Sequence, residues 1–230
     1  MAGQILLYVP IIHVGADLGS LAEPVAGTSR RIYGPERWRR HQEVAQGFWD
    51  AIAACFEGLD ATGLKIFQDG LSADGELGRR IIDEGAQKGS RNFQIVQRLM
   101  ERGAEIRKAE DPALLREEYE GLTRLVRAGS AVGRLRAYLR YRLRKGRLLA
   151  RRDKFIARRI NETLRVGETG VLFLGAQHKV LPLLSPDIEV KELKERARVK
   201  TYMDMLRRPG HDGTLHRLAE YLSAPVRYGG

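Results

Sequence analysis

Two histidines and two acids of this chain occupy positions from which they can do chemistry. His13 and His178 each follow a run of apolar residues, and a neutral imidazole acts as a general base near pH 7 or binds a metal. Asp69 and Glu110 are the best-placed carboxylates, because Asp69 directly follows one predicted strand and Glu110 is the last residue of another. Such a set suits a divalent metal with an open position for water, or an acid/base site without metal. For each group alone, the alternative is a structural histidine or a helix-capping acid.

The elements that position these groups are predicted from apolar runs and turn residues. Continuous apolar runs are typical of strands that are buried on both faces. Between them the apolar spacing is helical, with Pro35 suited to a first turn and Ser90 to an N-cap. Because the strands alternate with helices, we predict an α/β fold with a mostly parallel central sheet flanked by helices. The predicted strands cover residues 5–12, 64–68, 104–110, 171–176 and 187–193.

The predicted sheet brings the four candidate side chains to one edge. In parallel sheets, ligands bind beyond the carboxyl ends of the strands, and each of the four side chains lies at or just past the end of a predicted strand. We therefore expect them to meet in one crevice. We predict a single α/β domain over residues 1–230. Residues 112–165 show no strand pattern, and they are predicted to form a long helical insertion with a break near Gly129 and Ser130.

The composition excludes several classes of protein. The 230 residues are 43% hydrophobic and 30% charged, which favours a folded core over disorder. A single cysteine, Cys55, excludes an intrachain disulfide and a CxxC zinc site, and it favours a reducing cytoplasm. The apolar run at residues 5–12 is too short to cross a bilayer and has no basic segment before it. We expect a cytoplasmic protein without a transmembrane segment. His41 stands among charged residues and is expected to be exposed.

The positive charge of the chain is concentrated in one segment. Between Arg134 and Arg159 there are twelve basic residues and one acid, Asp153, so that this segment alone accounts for the formal net charge of +11. Such a helix can bind an anionic membrane surface, a nucleic-acid backbone or an anionic substrate. The alternative is a solvated helix without a partner. Because like charges at helical spacing repel one another, we favour an anionic partner.

Two motifs near opposite ends of the chain resemble those of a known superfamily. Gly175–His178 follows an apolar strand as a GxxH motif, and Arg152–Ala157, followed by Ile160, resembles an arginine-led helix before that strand. Pro10–Gly15 is similar to the first GxxH motif, with proline in place of its usual glycine. These motifs resemble those of the superfamily of TraB/PrgY proteins, TIKI metalloproteases, erythromycin esterases and haem-binding ChaN proteins.

The resemblance implies which residues form the site. It carries over His13 and His178 as site histidines, and Arg152 as an arginine that binds an anionic group or a developing oxyanion. The superfamily commonly has a glutamate at the end of its second strand, where this chain has Gln68 followed by Asp69. Glutamine is a poor metal ligand and no base. Either Asp69 takes that role, or the metal chemistry is altered or lost.

The leading hypothesis from the sequence is a hydrolase of this superfamily type that cleaves an ester or amide of a small molecule or peptide. His178 or His13 would activate water, directly or on a divalent ion such as Mn²⁺, Zn²⁺ or Co²⁺. Asp69 or Glu110 would orient a histidine or bind the metal, and Arg152 would stabilise negative charge. The alternatives are a non-enzymatic protein that binds haem or a peptide, and a protein that binds anionic surfaces through Arg134–Arg159.

Overall fold

A parallel sheet forms the centre of the computed structural model, which describes residues 3–12, 34–127, 131–206 and 212–226. Within those residues the sheet has five strands in the order β3-β2-β4-β1-β5, and all neighbouring pairs are parallel. The predicted α/β fold with a mostly parallel sheet flanked by helices is confirmed. The strands are β1 (Gln4–Ile11), β2 (Lys65–Gln68), β3 (Glu105–Arg107), β4 (Thr169–Gly175) and β5 (Ile188–Glu192).

The helices also lie close to their predicted positions. Pro35 is the first residue of its helix, and Ser90 directly precedes another, as expected. The predicted break near Gly129 and Ser130 lies outside the described residues. The helices are α1 (Pro35–Glu57), α2 (Gly75–Gln87), α3 (Arg91–Glu101), α4 (Pro112–Arg127), α5 (Ala131–Thr163), α6 (Arg196–Leu206) and α7 (Asp212–Ser223), with a 3₁₀ turn at Leu181–Leu183.

The two faces of the sheet are covered by different helices. Successive residues of a strand point to opposite faces, so that Leu7 and Val9 pack with α1, α2 and α3 whereas Leu6 and Tyr8 pack with α5. The chain moves from β1 through β2 to β3 in one direction, and then back through β4 to β5 in the other. This reversal makes the carboxyl end of β4, between β2 and β1, the expected place for a site.

Helix α5 divides into two parts along its length. Its last turns carry Ile156, Ala157 and Ile160, which are buried against the sheet. Its earlier turns pack against α4, where the ring of Tyr141 lies beside Gly121. The predicted insertion is therefore a pair of helices whose final part belongs to the core. None of the described helices combines the length and the apolar character that a membrane crossing requires.

Candidate functional site

His178 lies just past the carboxyl end of β4. The chain turns directly after that strand, and the backbone N–H of His178 donates to the carbonyl oxygen of Gly175 at 3.1 Å. Its side chain is only 6% exposed. The carbonyl oxygen of His178 accepts a hydrogen bond from Arg196 on α6 at 3.3 Å. The imidazole is thus held at the edge of the sheet by its own turn and by a neighbouring helix.

Asp153 on α5 holds one side of this imidazole. Its Oδ1 lies 2.6 Å from Nδ1 of His178, and its Oδ2 accepts the backbone N–H of Lys179 at 2.9 Å. Because a carboxylate only accepts, the proton in the first bond belongs to Nδ1, and a neutral imidazole keeps its lone pair on Nε2. This arrangement of an acid that orients a histidine is the one found around general bases.

Asp69 lies on the other side of the imidazole. Its Oδ2 is 4.0 Å from Nε2 of His178, a distance that is too long for a direct hydrogen bond but suits a shared water or substrate atom. The same oxygen accepts the backbone N–H of Gly175 at 3.4 Å. Gln68 is buried instead, with its Oε1 unpaired and its Nε2 donating to the backbone oxygen of Asp69. Asp69, and not Gln68, therefore contributes to the site.

Arg152 connects Asp69 to two further carboxylates. Its Nη2 donates to Asp69 Oδ1 at 2.8 Å and to Glu110 Oε1 at 2.5 Å, while its Nε donates to Glu110 Oε2 at 3.1 Å. Its Nη1 donates to Glu118 on α4 at 2.5 Å. With donors directed at three carboxylates, the buried guanidinium fixes the orientation of Asp69. Burial opposes its positive charge, but the hydrogen bonds and charge of Glu110 raise the pKa of Arg152 above its ordinary value.

Glu110 lies behind Arg152 and is completely buried. Burial raises the pKa of its carboxyl to about 7, although the hydrogen bonds and charge of Arg152 act in the opposite direction. Both of its oxygens are hydrogen-bonded to the guanidinium, which separates them from His178. Glu110 therefore belongs to the support of the site and does not face the imidazole.

The structure brings together most of the residues predicted for the site. Asp69, Glu110, Arg152 and His178 form one connected cluster at the carboxyl edge of the sheet. His13 lies outside the described residues, although the strand that leads to it pairs with β4 up to Gly175.

Asp153 was missed by the sequence analysis. A signal for it exists, because it is the one acid of the basic segment and it precedes Ile156, Ala157, Ile160 and Leu164 at helical spacing. An acid on the buried stripe of a helix needs a partner. That partner is His178.

Within the described ranges, no group of three or more histidine, cysteine, aspartate and glutamate side chains is arranged to hold a metal ion. Of the four predicted ligands, His178 and Asp69 present an open nitrogen and an oxygen to each other, whereas Glu110 is bound to Arg152. Nε2 of His178 is the nitrogen that would bind a metal, because metal-binding histidines commonly hydrogen-bond a carboxylate through their other ring nitrogen, as Nδ1 does here with Asp153. These two side chains are the ones that would hold an ion.

The fold and the site define an α/β protein with a buried acid–histidine pair at the point where the strand order reverses. In comparisons with known proteins, no family model, no curated protein and no solved structure matches the chain.

Proposed function

We propose that the chain is a hydrolase in which His178 activates water and Asp153 orients His178. The observation that carries this proposal is the 2.6 Å contact between Asp153 Oδ1 and His178 Nδ1. It directs the lone pair of Nε2 toward Asp69 at the edge of the sheet. A buried carboxylate also stabilises the imidazolium that forms when the histidine accepts a proton.

In this mechanism the imidazole acts first as a base and then as an acid. Nε2 of His178 takes a proton from water while the water oxygen bonds to the carbonyl carbon of the substrate. The bond to the leaving alcohol or amine then breaks, and the imidazolium returns its proton to that group. Throughout, Asp153 keeps the proton of Nδ1 in place, so that the ring does not turn.

Asp69 and Arg152 have supporting roles in the proposal. Oδ2 of Asp69 lies within reach of a water that also contacts His178 Nε2, since the two atoms are 4.0 Å apart. Arg152 is a positioning residue, because its donors are directed at Asp69, Glu110 and Glu118. This differs from the expectation that it binds an anionic group directly. A divalent ion held by His178 and Asp69 would supply a more acidic water.

The substrate class and the cellular location rest on the sequence. By the resemblance of its GxxH and arginine-led motifs, we propose that the bond is an ester or amide in a small molecule or peptide. We also propose a cytoplasmic location, which agrees with the free thiol of Cys55.

The test of the proposed function is a screen of activated esters and amides with matched variants. We expect Asp153→Asn to lower kcat/KM by about 10²–10⁴-fold, because the amide no longer fixes the correct tautomer of His178. His178→Ala should have a comparable effect. His216→Ala is the control, since this histidine is exposed on α7. The metal content of wild type and His178→Ala is measured in parallel.

Three outcomes are distinguishable. Loss of turnover in both site variants, with the control unchanged, supports the proposal. Equal activity in all four proteins would show that the activity does not arise at His178. Stoichiometric binding of haem or a peptide without turnover would replace the hydrolase with the ligand-binding alternative.

A further inference from the structure

Residues 140–151 of α5 present most of their surface to solvent. Helix α4 leaves the carboxyl edge of the sheet after β3, and α5 returns to that edge at Arg152. The turns before Arg152 pack against α4 and line a cavity of about 200 Å³ between the two helices. We call residues 140–158 of α5 the basic face. All of its basic side chains except that of Arg152 are exposed.

Most cations of the basic face make no ion pair. Arg151 pairs with Glu117 and Arg158 with Glu162. In contrast, six further cations form no ion pair with any side chain that the structure describes. They are Arg140, Arg142, Arg144, Lys145, Arg147 and Lys154. Arg140 and Arg144 are four residues apart and Arg144 and Arg147 three, so that they repel each other across one helical turn. Binding of a polyanion would relieve that repulsion.

The cations surround more than one side of the helix. With about 100° per residue, Arg142 and Arg144 lie on opposite sides of the helix, about 160° apart. Arg140, Arg147 and Lys154 lie within about 80° of Arg144. A flat membrane contacts only one side of a straight helix. The basic face also offers a single strongly exposed apolar residue, Leu143 at 79%, whereas a helix that inserts into a membrane interface needs an apolar stripe.

We propose that the basic face binds the phosphate backbones of a double-stranded nucleic acid. A duplex groove is concave and carries phosphates on both walls, so that it matches cations distributed over a wide arc of a helix. The basic face is about 27 Å long, at about 1.5 Å per residue. Four of its six cations without an ion pair are arginines, whose guanidinium groups bind phosphate in a bidentate manner. The inference is independent of the proposed hydrolase.

The proposed binding does not depend on base sequence. The described exposed side chains of this face are arginine and lysine, which are suited to phosphate contact, with one leucine and one alanine. The ring of Tyr141 is only partly exposed and lies beneath Lys145, which makes it a poor platform for stacking a base. A duplex is therefore expected to bind more tightly than a single strand of the same length.

The experiment measures fluorescence anisotropy of a labelled DNA duplex of about 20 base pairs, which exceeds the length of the basic face. The variant is Arg140→Gln/Arg144→Gln/Arg147→Gln. Its matched control, Arg79→Gln/Arg80→Gln/Arg98→Gln, removes the same charge from exposed arginines of α2 and α3. Titrations between about 50 and 200 mM salt give the slope of log Kd against log salt. Circular dichroism checks that all proteins are folded.

We expect the basic-face variant to bind at least about tenfold more weakly, and its salt slope to fall by about 3 because three phosphate contacts are lost. The control should bind like wild type. Equal losses in both variants would overturn the proposal, since they would indicate a general effect of net charge. The proposal would also be overturned if the wild-type protein bound phosphatidylserine vesicles but not the duplex, or bound neither of them.

Discussion

Replacement of Arg152 by methionine tests how the site is held together. The guanidinium donates two charge-assisted hydrogen bonds to Glu110, which is completely buried. Methionine fills much of the same volume but leaves this carboxyl without its partner. Removal of one member of a buried ion pair typically costs about 3–5 kcal/mol of the free energy of unfolding. We expect a loss in this range for Arg152→Met when Glu110 is ionised.

The loss should depend on pH with a defined sign. Burial raises the pKa of Glu110 to about 7 in the folded protein, against an ordinary value of 4.5. A carboxyl whose pKa is raised in the folded protein stabilises the fold at pH values below its pKa in the unfolded chain. This stability is lost as pH rises through its pKa in the folded protein. For Glu110 the loss of stability amounts to about 3 kcal/mol. Without Arg152 the folded pKa of Glu110 rises further. The variant should therefore be least destabilised in acid and most destabilised in alkali.

Urea unfolding at about pH 5 and about pH 8.5 measures these effects. Glu110→Gln alone should cost about 1–3 kcal/mol, and the double variant should cost about 2 kcal/mol less than the sum of the single variants. Arg151→Met is the control, because this neighbouring arginine is 60% exposed and its ion pair with Glu117 is worth at most about 1 kcal/mol. Additive losses, or a loss of equal size at both pH values, would refute the reasoning.

Two further predictions concern stability away from the site. Burial lowers the pKa of His41 to about 4, from an ordinary value of 6.5. The neutral imidazole therefore stabilises the fold above pH 6.5, and this stability is lost as pH falls through 4. Over this range, the free energy of unfolding of wild type minus that of His41→Gln should fall by about 3 kcal/mol. Gly85→Ala should destabilise the protein by about 1–3 kcal/mol, because the new methyl group would lie 2.5 Å from the ring of Phe93. Gly146→Ala should stabilise the protein by about 0.5–1 kcal/mol, because no atom of another described element lies within 4 Å of the position of its new methyl group and alanine favours a helix. Thermal unfolding of the two variants and wild type measures both effects.

The two longest strands could be predicted because each is a nearly continuous apolar run. The apolar runs Ile5–Ile12 and Val171–Ala176 lack the helical spacing of the segments around them. The bounds of β1 and β4 agree with these two runs to within two residues. The convergence of Asp69, Glu110 and His178 followed from the parallel arrangement alone, since all parallel strands end at one edge.

The environment of His41 was predicted wrongly, and the reason is instructive. Its neighbours in sequence are charged, but it shares one face of α1 with Trp38, Ala45 and Phe48 at spacings of three and four residues. The structure buries it to 2% exposure, with Nδ1 at 3.1 Å from the hydroxyl of Tyr202. Helical spacing was therefore a better guide than the charge of adjacent residues.

The partners of Arg152 could not be predicted from the sequence. The resemblance indicated an arginine that binds an anion, and the anions in the structure are side chains of the protein itself. Glu118 lies on α4, and its position opposite Arg152 depends on how the two helices pack. The two residues are 34 positions apart in the chain, and the sequence does not specify how α4 and α5 align side by side.

The order of residues along α5 explains how one helix serves two surfaces. Its last turns are fixed on the sheet by the apolar residues that begin at Ile156. Immediately before them, Arg152 and Asp153 are about 100° apart around the axis, so that one reaches Asp69 and Glu110 while the other reaches His178. Most of the exposed cations lie before these two residues. Because the apolar turns fix the helix, we expect the contacts of the acid–histidine pair not to depend on whether the basic face is occupied.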